Sequence, residues 1–146
     1  MPLLNPMVTH TFDLQNLHPA NPGAGLALAY PCPANARLEI LSCNFLLTTD
    51  ANAANRYITL SCTDGATIWG VSRSQVAHTA TLGWNYFFST GLEDEIDLSA
   101  DSLLLEPMAY GIFLDPGETF SLIIDNVQIA DSLTGIYLRT KLWIRE

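Results

Sequence analysis

From residue 37 onward, apolar and polar residues alternate in short runs rich in Val, Ile, Thr and aromatic residues. Successive side chains of a β-strand point to opposite faces, so a period of two predicts half-buried strands. The runs are RLEILSCNFLLT, NRYITLSCT, ATIWGVS, QVAHTATLGWNYFFS, TFSLIIDNV and TGIYLRTKLWIRE. Between them lie DANAAN, DG, GLEDE, DPGE and IADSL, which are typical turn sequences. The pattern predicts an all-β fold, an antiparallel β-sandwich with a jelly-roll-like arrangement.

The alternation also assigns side chains to the faces of each predicted strand. In the first long run the predicted inward residues are Leu41, Cys43, Phe45 and Leu47. In WNYFFS they are Trp84, Tyr86 and Phe88, which leaves Phe87 on the outside or in an interface.

The last run separates an apolar face from a face of aromatic and basic residues. The apolar face holds Ile136, Leu138, Thr140, Leu142 and Ile144. The opposite face holds Tyr137, Arg139, Lys141, Trp143 and Arg145. Two interpretations remain open for the second face. It is either a solvated surface whose cations pair with acids of neighbouring strands, or a docking surface for an acidic partner or a neighbouring subunit.

The segment before these runs differs in composition. Residues 1–36 carry six of the eight prolines and a single formal charge, Asp13. Proline lacks a backbone donor and favours extended geometry, so residues 1–35 are predicted to form an extended N-terminal arm, and residues 36–146 the sandwich domain. The apolar arm residues that need cover include Leu3, Leu4, Met7, Phe12, Leu14 and Leu17. The arm either covers a neighbouring subunit or lies on its own body as the first strand and loops of the sandwich.

Composition and charge limit the partners. The net charge is −9, and a field of this sign repels phosphate backbones and anionic membranes. No run approaches the roughly 18 apolar residues of a membrane span, and the first residues lack the features of a signal peptide. We therefore expect no nucleic-acid or membrane partner and assembly in a cytoplasm. The chain is 49% hydrophobic and only 14% charged, which leaves apolar surface for a protein partner.

Catalytic and metal-binding motifs are not found in the sequence. Cys32, Cys43 and Cys62 have no spacing typical of a zinc site, and Cys43 and Cys62 fit buried small apolar positions better than a bridge. The stretch GLEDEIDLSAD, residues 91–101, carries five acids at positions 93–101 without the EF-hand pattern, so a solvated loop is a better interpretation than a calcium site. No serine lies in a nucleophile-elbow context. We expect no enzyme activity, no cofactor and no metal.

The tract TTDANAAN between two predicted strands contains the residues best suited to hold a loop. Asp50, Asn52 and Asn55 favour tight turns because their side chains bond nearby backbone groups. Arg56 is in phase with the inward residues of the strand that follows, so its guanidinium is expected to bind Asp50 or loop carbonyls. Asp50, Asn55 and Arg56 are therefore predicted to form a structural clamp.

Two stretches resemble segments of small β-sandwich virion proteins of tailed bacteriophages. They are PANARLEILSCNFLLTTDANAANRYITLSCTDG and LDPGETFSLIIDNVQIADSLTGIYLRTKLWIRE. The resemblance covers about half the chain and consists of turn and strand patterns. It implies a capsid decoration or accessory structural protein located in the virion. Such a protein forms a homo-oligomer, most often a trimer, and binds the major capsid protein or another virion protein. The alternative is a receptor- or glycan-binding module of a tail fibre, in which sugars would stack on aromatic residues: Trp69, Trp84, Tyr86, Tyr137 and Trp143.

Overall fold

The computed structural model describes residues 12–144, which form two β-sheets packed face to face. The strands are β1 Asp13–Leu17, β2 Leu28–Pro31, β3 Ala36–Thr48, β4 Tyr57–Thr63, β5 Ile68–Arg73, β6 Gly83–Ser89, β7 Ile96–Leu98, β8 Leu103–Pro107, β9 Phe113–Leu114, β10 Thr119–Asp125 and β11 Ser132–Ile144. A single 3-10 turn, Ser99–Asp101, is the only helical element of this range. The predicted all-β sandwich is confirmed.

The larger sheet has the order β1-β11-β3-β6-β8-β7, with β9 beside β3, and the smaller sheet has the order β2-β10-β4-β5. All neighbouring strands are antiparallel except β6 and β8, which run parallel. Two parallel strands need a connection that carries the chain back to the end of the sheet at which the first strand began. Here β7 and the 3-10 turn form that connection between β6 and β8. The prediction of a purely antiparallel sheet was therefore wrong at this pair. Within residues 12–144 no helix reaches the length and apolarity needed to cross a membrane.

The described part of the predicted arm belongs to the sandwich. Strand β1 pairs with β11 in the larger sheet, and β2 pairs with β10 in the smaller one. The sequence left open whether the arm covers a neighbouring subunit or packs on its own sandwich. Residues 12–35 pack on their own sandwich. Residues 1–11, with Leu3, Leu4 and Met7, lie outside the described residues.

A β-bulge changes the inward face of β3. Its register with β11 shifts between Arg139 and Thr140, so that Leu41 is an extra residue on β3. Before the bulge the buried positions are Ala36, Leu38 and Ile40; after it they are Cys43, Phe45 and Leu47. Leu41, predicted to point inward, is only partly buried. A bulge places two residues opposite one and so reverses the alternation beyond it.

The core lies between β3 and β6 of the larger sheet and β4 and β10 of the smaller one. The Phe45 ring stacks on Tyr86 at 5.2 Å and on Phe88 at 6.1 Å between centroids. Tyr86 and Phe88 are buried as predicted, and Trp84 is half-buried at the edge of this cluster. Cys43 and Cys62 are buried thiols that form no disulfide, as expected for small apolar positions. Burying such side chains supplies most of the folding free energy.

Candidate functional site

The outer face of β11 carries the predicted aromatic and basic residues, and β1 and β9 extend it. Phe12 lies edge-on to Trp143, with 5.6 Å between ring centroids, and the Phe113 ring is 6.0 Å from Trp143. The Lys141 ammonium lies 4.9 Å above the Phe12 ring, and the Arg37 guanidinium lies 4.6 Å above Phe113. We call these five residues the aromatic patch. Cations over ring faces are attracted by the ring quadrupole, which holds the patch together.

Neighbouring residues support the edges of the aromatic patch. Lys141 also contacts Glu39 on β3, with 3.4 Å between Nζ and Oε2. The Tyr137 ring lies edge-on to His18 at 4.8 Å. Arg139 is exposed and lies opposite Asn16 of β1 in register. One of the two interpretations of this face was that its cations pair with acids of neighbouring strands. Lys141 forms such a pair, whereas Arg139 is exposed.

The arm residues that the structure describes occupy two faces of β1. Phe12 and Leu14 are 45% and 50% exposed on the outer side, and Leu14 lies opposite Lys141 in register. Leu17 is half-buried and packs against the core. The larger sheet therefore presents two exposed apolar side chains at the point where residues 1–11 join it.

Arg56 binds the loop before β4 and a distant turn at the same time. Its side chain is 0% exposed. Nη2 donates to Asp50 Oδ1 at 2.9 Å, and Nη1 donates to the carbonyl oxygens of Asn52 and Ala54, both at 3.0 Å. Nε and Nη2 also donate to the two carboxylate oxygens of Asp131 at 2.9 and 3.0 Å. All five N–H groups of the guanidinium are thus used, which is the arrangement of a structural clamp.

Asp131 is the member of this cluster that the sequence reasoning missed. Its carboxylate also accepts the main-chain N–H groups of Asp50 and Gln128, at 2.9 and 2.8 Å. Burial alone raises the pKa of Asp131, but the hydrogen bonds from Arg56 and from these amides outweigh it, and the pKa lies below its usual range. Asn55, predicted as a member of the clamp, is not among the residues that Arg56 binds; its main-chain carbonyl accepts Asn126 Nδ2 at 2.9 Å instead.

A buried carboxyl group lies beneath the acidic segment. Glu106 is 0% exposed on the core face of β8, where its carboxyl group interacts with the Glu95 carboxyl and the Gln75 main chain. Burial raises the pKa of Glu106 far above its usual range, and the neighbouring Glu95 carboxyl adds to the shift. Glu95 Oε2 accepts the main-chain N–H of Gln75 at 3.2 Å. The phase of Glu106 with buried Leu104 was the sequence signal that could have revealed this position.

His78 and Tyr86 form a second buried polar contact near the same end of the sandwich. His78 Nδ1 lies 3.1 Å from the Tyr86 hydroxyl, and Nε2 lies 3.3 Å from the Leu82 carbonyl oxygen. Burial lowers the pKa of His78, so the imidazole is neutral at physiological pH. With both side chains at most 1% exposed, the contact fastens the segment before β6 to the core.

A concave pocket of about 380 Å³ opens on the outer face of the larger sheet. Its lining includes Asn44, Asn85, Thr134, Leu46, Phe87 and Leu103. Phe87 has the outward position that the sequence predicted. None of the lining residues carries a charge. The pocket lies at the opposite end of β11 from the aromatic patch.

No three His, Cys, Asp or Glu side chains between residues 12 and 144 converge in a way that could hold a metal ion. Comparisons of the chain with family models, with curated proteins and with solved structures gave no match.

Proposed function

We propose that this protein is a structural component of a bacteriophage virion, most simply a capsid decoration protein that binds the shell as a symmetric homo-oligomer. The proposal includes a jelly-roll-like connection of the strands and a Pro-rich arm formed by the residues that precede the sandwich. The sequence resemblance suggests this class of protein. The observation that supports it most is the aromatic patch.

The aromatic patch has the chemistry of a protein interface. Phe12 and Leu14 expose about half of their surface, and Phe113 and Trp143 continue the apolar area towards Arg37 and Lys141. Aromatic residues and arginine are enriched in the centres of protein interfaces. Lys141 and Arg37 lie 3.4 and 3.7 Å from acids of the same chain, so exposed Arg139 is the cation of this face that favours an acidic partner surface.

The position of the aromatic patch connects it with the N-terminal segment. Phe12 is the first described residue and belongs to the patch, so the N-terminal segment is joined to the sandwich at the border of the patch. That segment carries Leu3, Leu4 and Met7 and the prolines Pro2 and Pro6. Proline reduces the entropy lost when an extended segment is ordered. An arm and a patch that act side by side enlarge one contact surface, and cyclic symmetry repeats it.

The first experiment is to measure the mass of the full chain by size-exclusion chromatography with light scattering. We expect a closed oligomer, with three times the 16.0 kDa of one chain as the leading expectation. Mass spectrometry of phage particles purified from a host that carries the gene should detect the chain in stoichiometric amounts. A monomer that is absent from the particles would contradict the proposal.

The second experiment tests the surface. Deletion of residues 1–11 spares β1, so the sandwich should keep its melting temperature while oligomer formation or particle binding is lost. Leu14→Glu should have the same effect, because it places a charge beside the aromatic patch. Ile68→Glu is the matched control: Ile68 is 66% exposed on β5 of the other sheet. Equal binding by Leu14→Glu and Ile68→Glu would exclude the patch as the contact surface.

A further inference from the structure

An exposed apolar strip lies on the outer face of the larger sheet, at the edge opposite to β1. Ile96 and Leu98 of β7 are 44% and 39% exposed. In register they lie opposite Leu105 and Leu103 of β8, which are only partly buried on the same face. We call these four residues the β7 strip. Among residues 12–144 no strand lies beyond β7, because β7 ends the strand order of this sheet.

Exposed acids surround the β7 strip. Glu93 and Asp94 precede β7, Asp97 lies within it, and Asp101 follows it in the 3-10 turn. All four side chains are exposed, and none forms a salt bridge with a residue of the described range. A partner that covers the strip therefore meets a cluster of negative charge, which favours a partner carrying a cation beside an apolar side chain.

The β1 edge of the same sheet has that chemistry. Arg139 of β11 is exposed and is the only Lys or Arg of residues 12–144 without a salt bridge. It lies opposite Asn16 of β1, two residues beyond Leu14, which is 50% exposed on the same outer side. Asp13, the acid of β1, lies opposite Leu142 and therefore on the other face. The β1 edge thus offers an apolar side chain and an unpaired cation.

The two edges complement each other, and neither complements itself. Two β7 edges brought together would place acids beside acids, and two β1 edges would place Arg139 beside Arg139, which is unfavourable in both cases. A β1 edge against a β7 edge instead joins apolar side chains and opposite charges. The open side of an edge strand also presents main-chain N–H and C=O groups that can pair with another strand.

We infer that the partner of the β1 edge is the β7 edge of a second copy of this chain, so that copies associate head to tail in a closed ring. Leu14 packs against the β7 strip, and Arg139 faces the acids around it. A contact between two unlike surfaces closes into a ring when the rotation between copies permits. The inference rests on the proposed homo-oligomer and goes beyond it by assigning both sides of the contact.

The first test compares masses by size-exclusion chromatography with light scattering. Wild type should form a closed oligomer, whereas Ile96→Glu should have the 16.0 kDa mass of one chain, because it places a carboxylate in the apolar contact. Leu98→Glu repeats the test at the next outward position of β7 if Ile96→Glu fails to fold. Ile68→Glu, on the other sheet, is the control and should keep the wild-type mass. Folded β7 variants that keep the wild-type mass overturn the inference.

A mixture of two variants tests whether the contact joins unlike surfaces. Leu14→Glu retains an intact β7 edge, and Ile96→Glu retains an intact β1 edge, so one contact can form between them. The equimolar mixture should contain pairs with twice the mass of one chain, although each variant alone is monomeric. Pair formation also shows that both variants are folded. A mixture of folded variants that contains only single chains overturns the inference.

Charge reversal tests the role of Arg139. Arg139→Glu should raise the dissociation constant of the oligomer at least about tenfold, because it brings a further carboxylate to the acids around β7. Arg73→Glu reverses an exposed cation of the other sheet and should leave the dissociation constant unchanged. Equal dissociation constants of the two variants would reject the contact of Arg139 with these acids.

The outcomes separate this contact from the proposed virion role. A wild-type chain with the mass of one chain excludes the contact, while the virion role stands if particles contain the chain. A wild-type oligomer that dissociates with Leu14→Glu but not with the β7 variants excludes the β7 edge alone and leaves the proposed function in place.

Discussion

The buried carboxyl group of Glu106 makes the stability of the sandwich depend on pH. The side chain is 0% exposed and shares the core face of β8 with Leu104. Burial raises the pKa of Glu106 from 4.5 to about 9, and the Glu95 carboxyl contributes to the shift. The native protein therefore keeps this carboxyl group protonated at neutral pH, whereas the unfolded chain releases the proton above about pH 4.5.

The sign and size of the effect follow from this difference. Stability falls with rising pH wherever the native state binds more protons than the unfolded chain, here from about pH 4.5 to about pH 9. One such group changes the free energy of unfolding by at most about 1.4 kcal/mol per pH unit. From about pH 5 to about pH 8 the contribution of Glu106 is therefore a loss of at most about 4 kcal/mol. Below about pH 4.5 both states are protonated and the contribution disappears.

Glu106→Gln isolates this contribution, because glutamine has the shape of the protonated carboxyl group and does not titrate. Urea unfolding, followed by tryptophan fluorescence at successive pH values, gives the free energy of unfolding of both proteins. Relative to wild type, the free energy of unfolding of Glu106→Gln should rise by at least about 2 kcal/mol between about pH 5 and about pH 8. Glu93→Gln, which neutralises an exposed acid of the neighbouring segment, is the control and should leave the wild-type slope nearly unchanged. Parallel curves for wild type and Glu106→Gln would refute the assignment of a raised pKa.

Two further predictions concern the clamp and the glycines. Arg56→Ala should lower the free energy of unfolding by about 3–5 kcal/mol, because it leaves the Asp131 carboxylate buried without its cation; unchanged urea unfolding would disprove the clamp. Gly135→Ala should cost only about 1 kcal/mol, since its positive φ is strained but its surroundings are open. Gly25→Ala should cost clearly more in the same assay, because its Cβ would lie 3.2 Å from the Ile129 carbonyl oxygen. Equal costs at the two glycines would mean that the close backbone contact is relieved by movement.

Local alternation predicted the strands and the faces of β11 because each residue contributes to it independently. It failed at β3, where the bulge at Leu41 reverses the face and leaves no mark in the apolar pattern. It also left undecided whether the segment before β3 packs on its own sandwich or on a neighbouring subunit. The pairing of β1 with β11 that decides this joins residues more than a hundred positions apart. Backbone pairing of this kind is decided by tertiary contacts.

The candidate sites show the same division between local and distant information. Asp50 is close to Arg56 in sequence, and the sequence reasoning proposed that contact. Asp131 is separated from Arg56 by 75 residues and lies in a turn whose composition is explained by turn formation alone. The pocket lies beside a β-bulge at Gly135 of β11 and is lined by residues of β3, β6, β8 and β11, a combination that no linear motif contains.

The pairing of β1 with β11 has a practical consequence for protein engineering. Asp13 lies opposite Leu142, so a tag or fusion partner added before residue 12 or after residue 144 would be tethered beside the aromatic patch. Such an addition is expected to interfere with binding measurements by crowding. The turn between β4 and β5 offers a better attachment point, because Gly65 lies there in open space on the other sheet. A peptide displayed at this turn would leave both the aromatic patch and the pocket accessible.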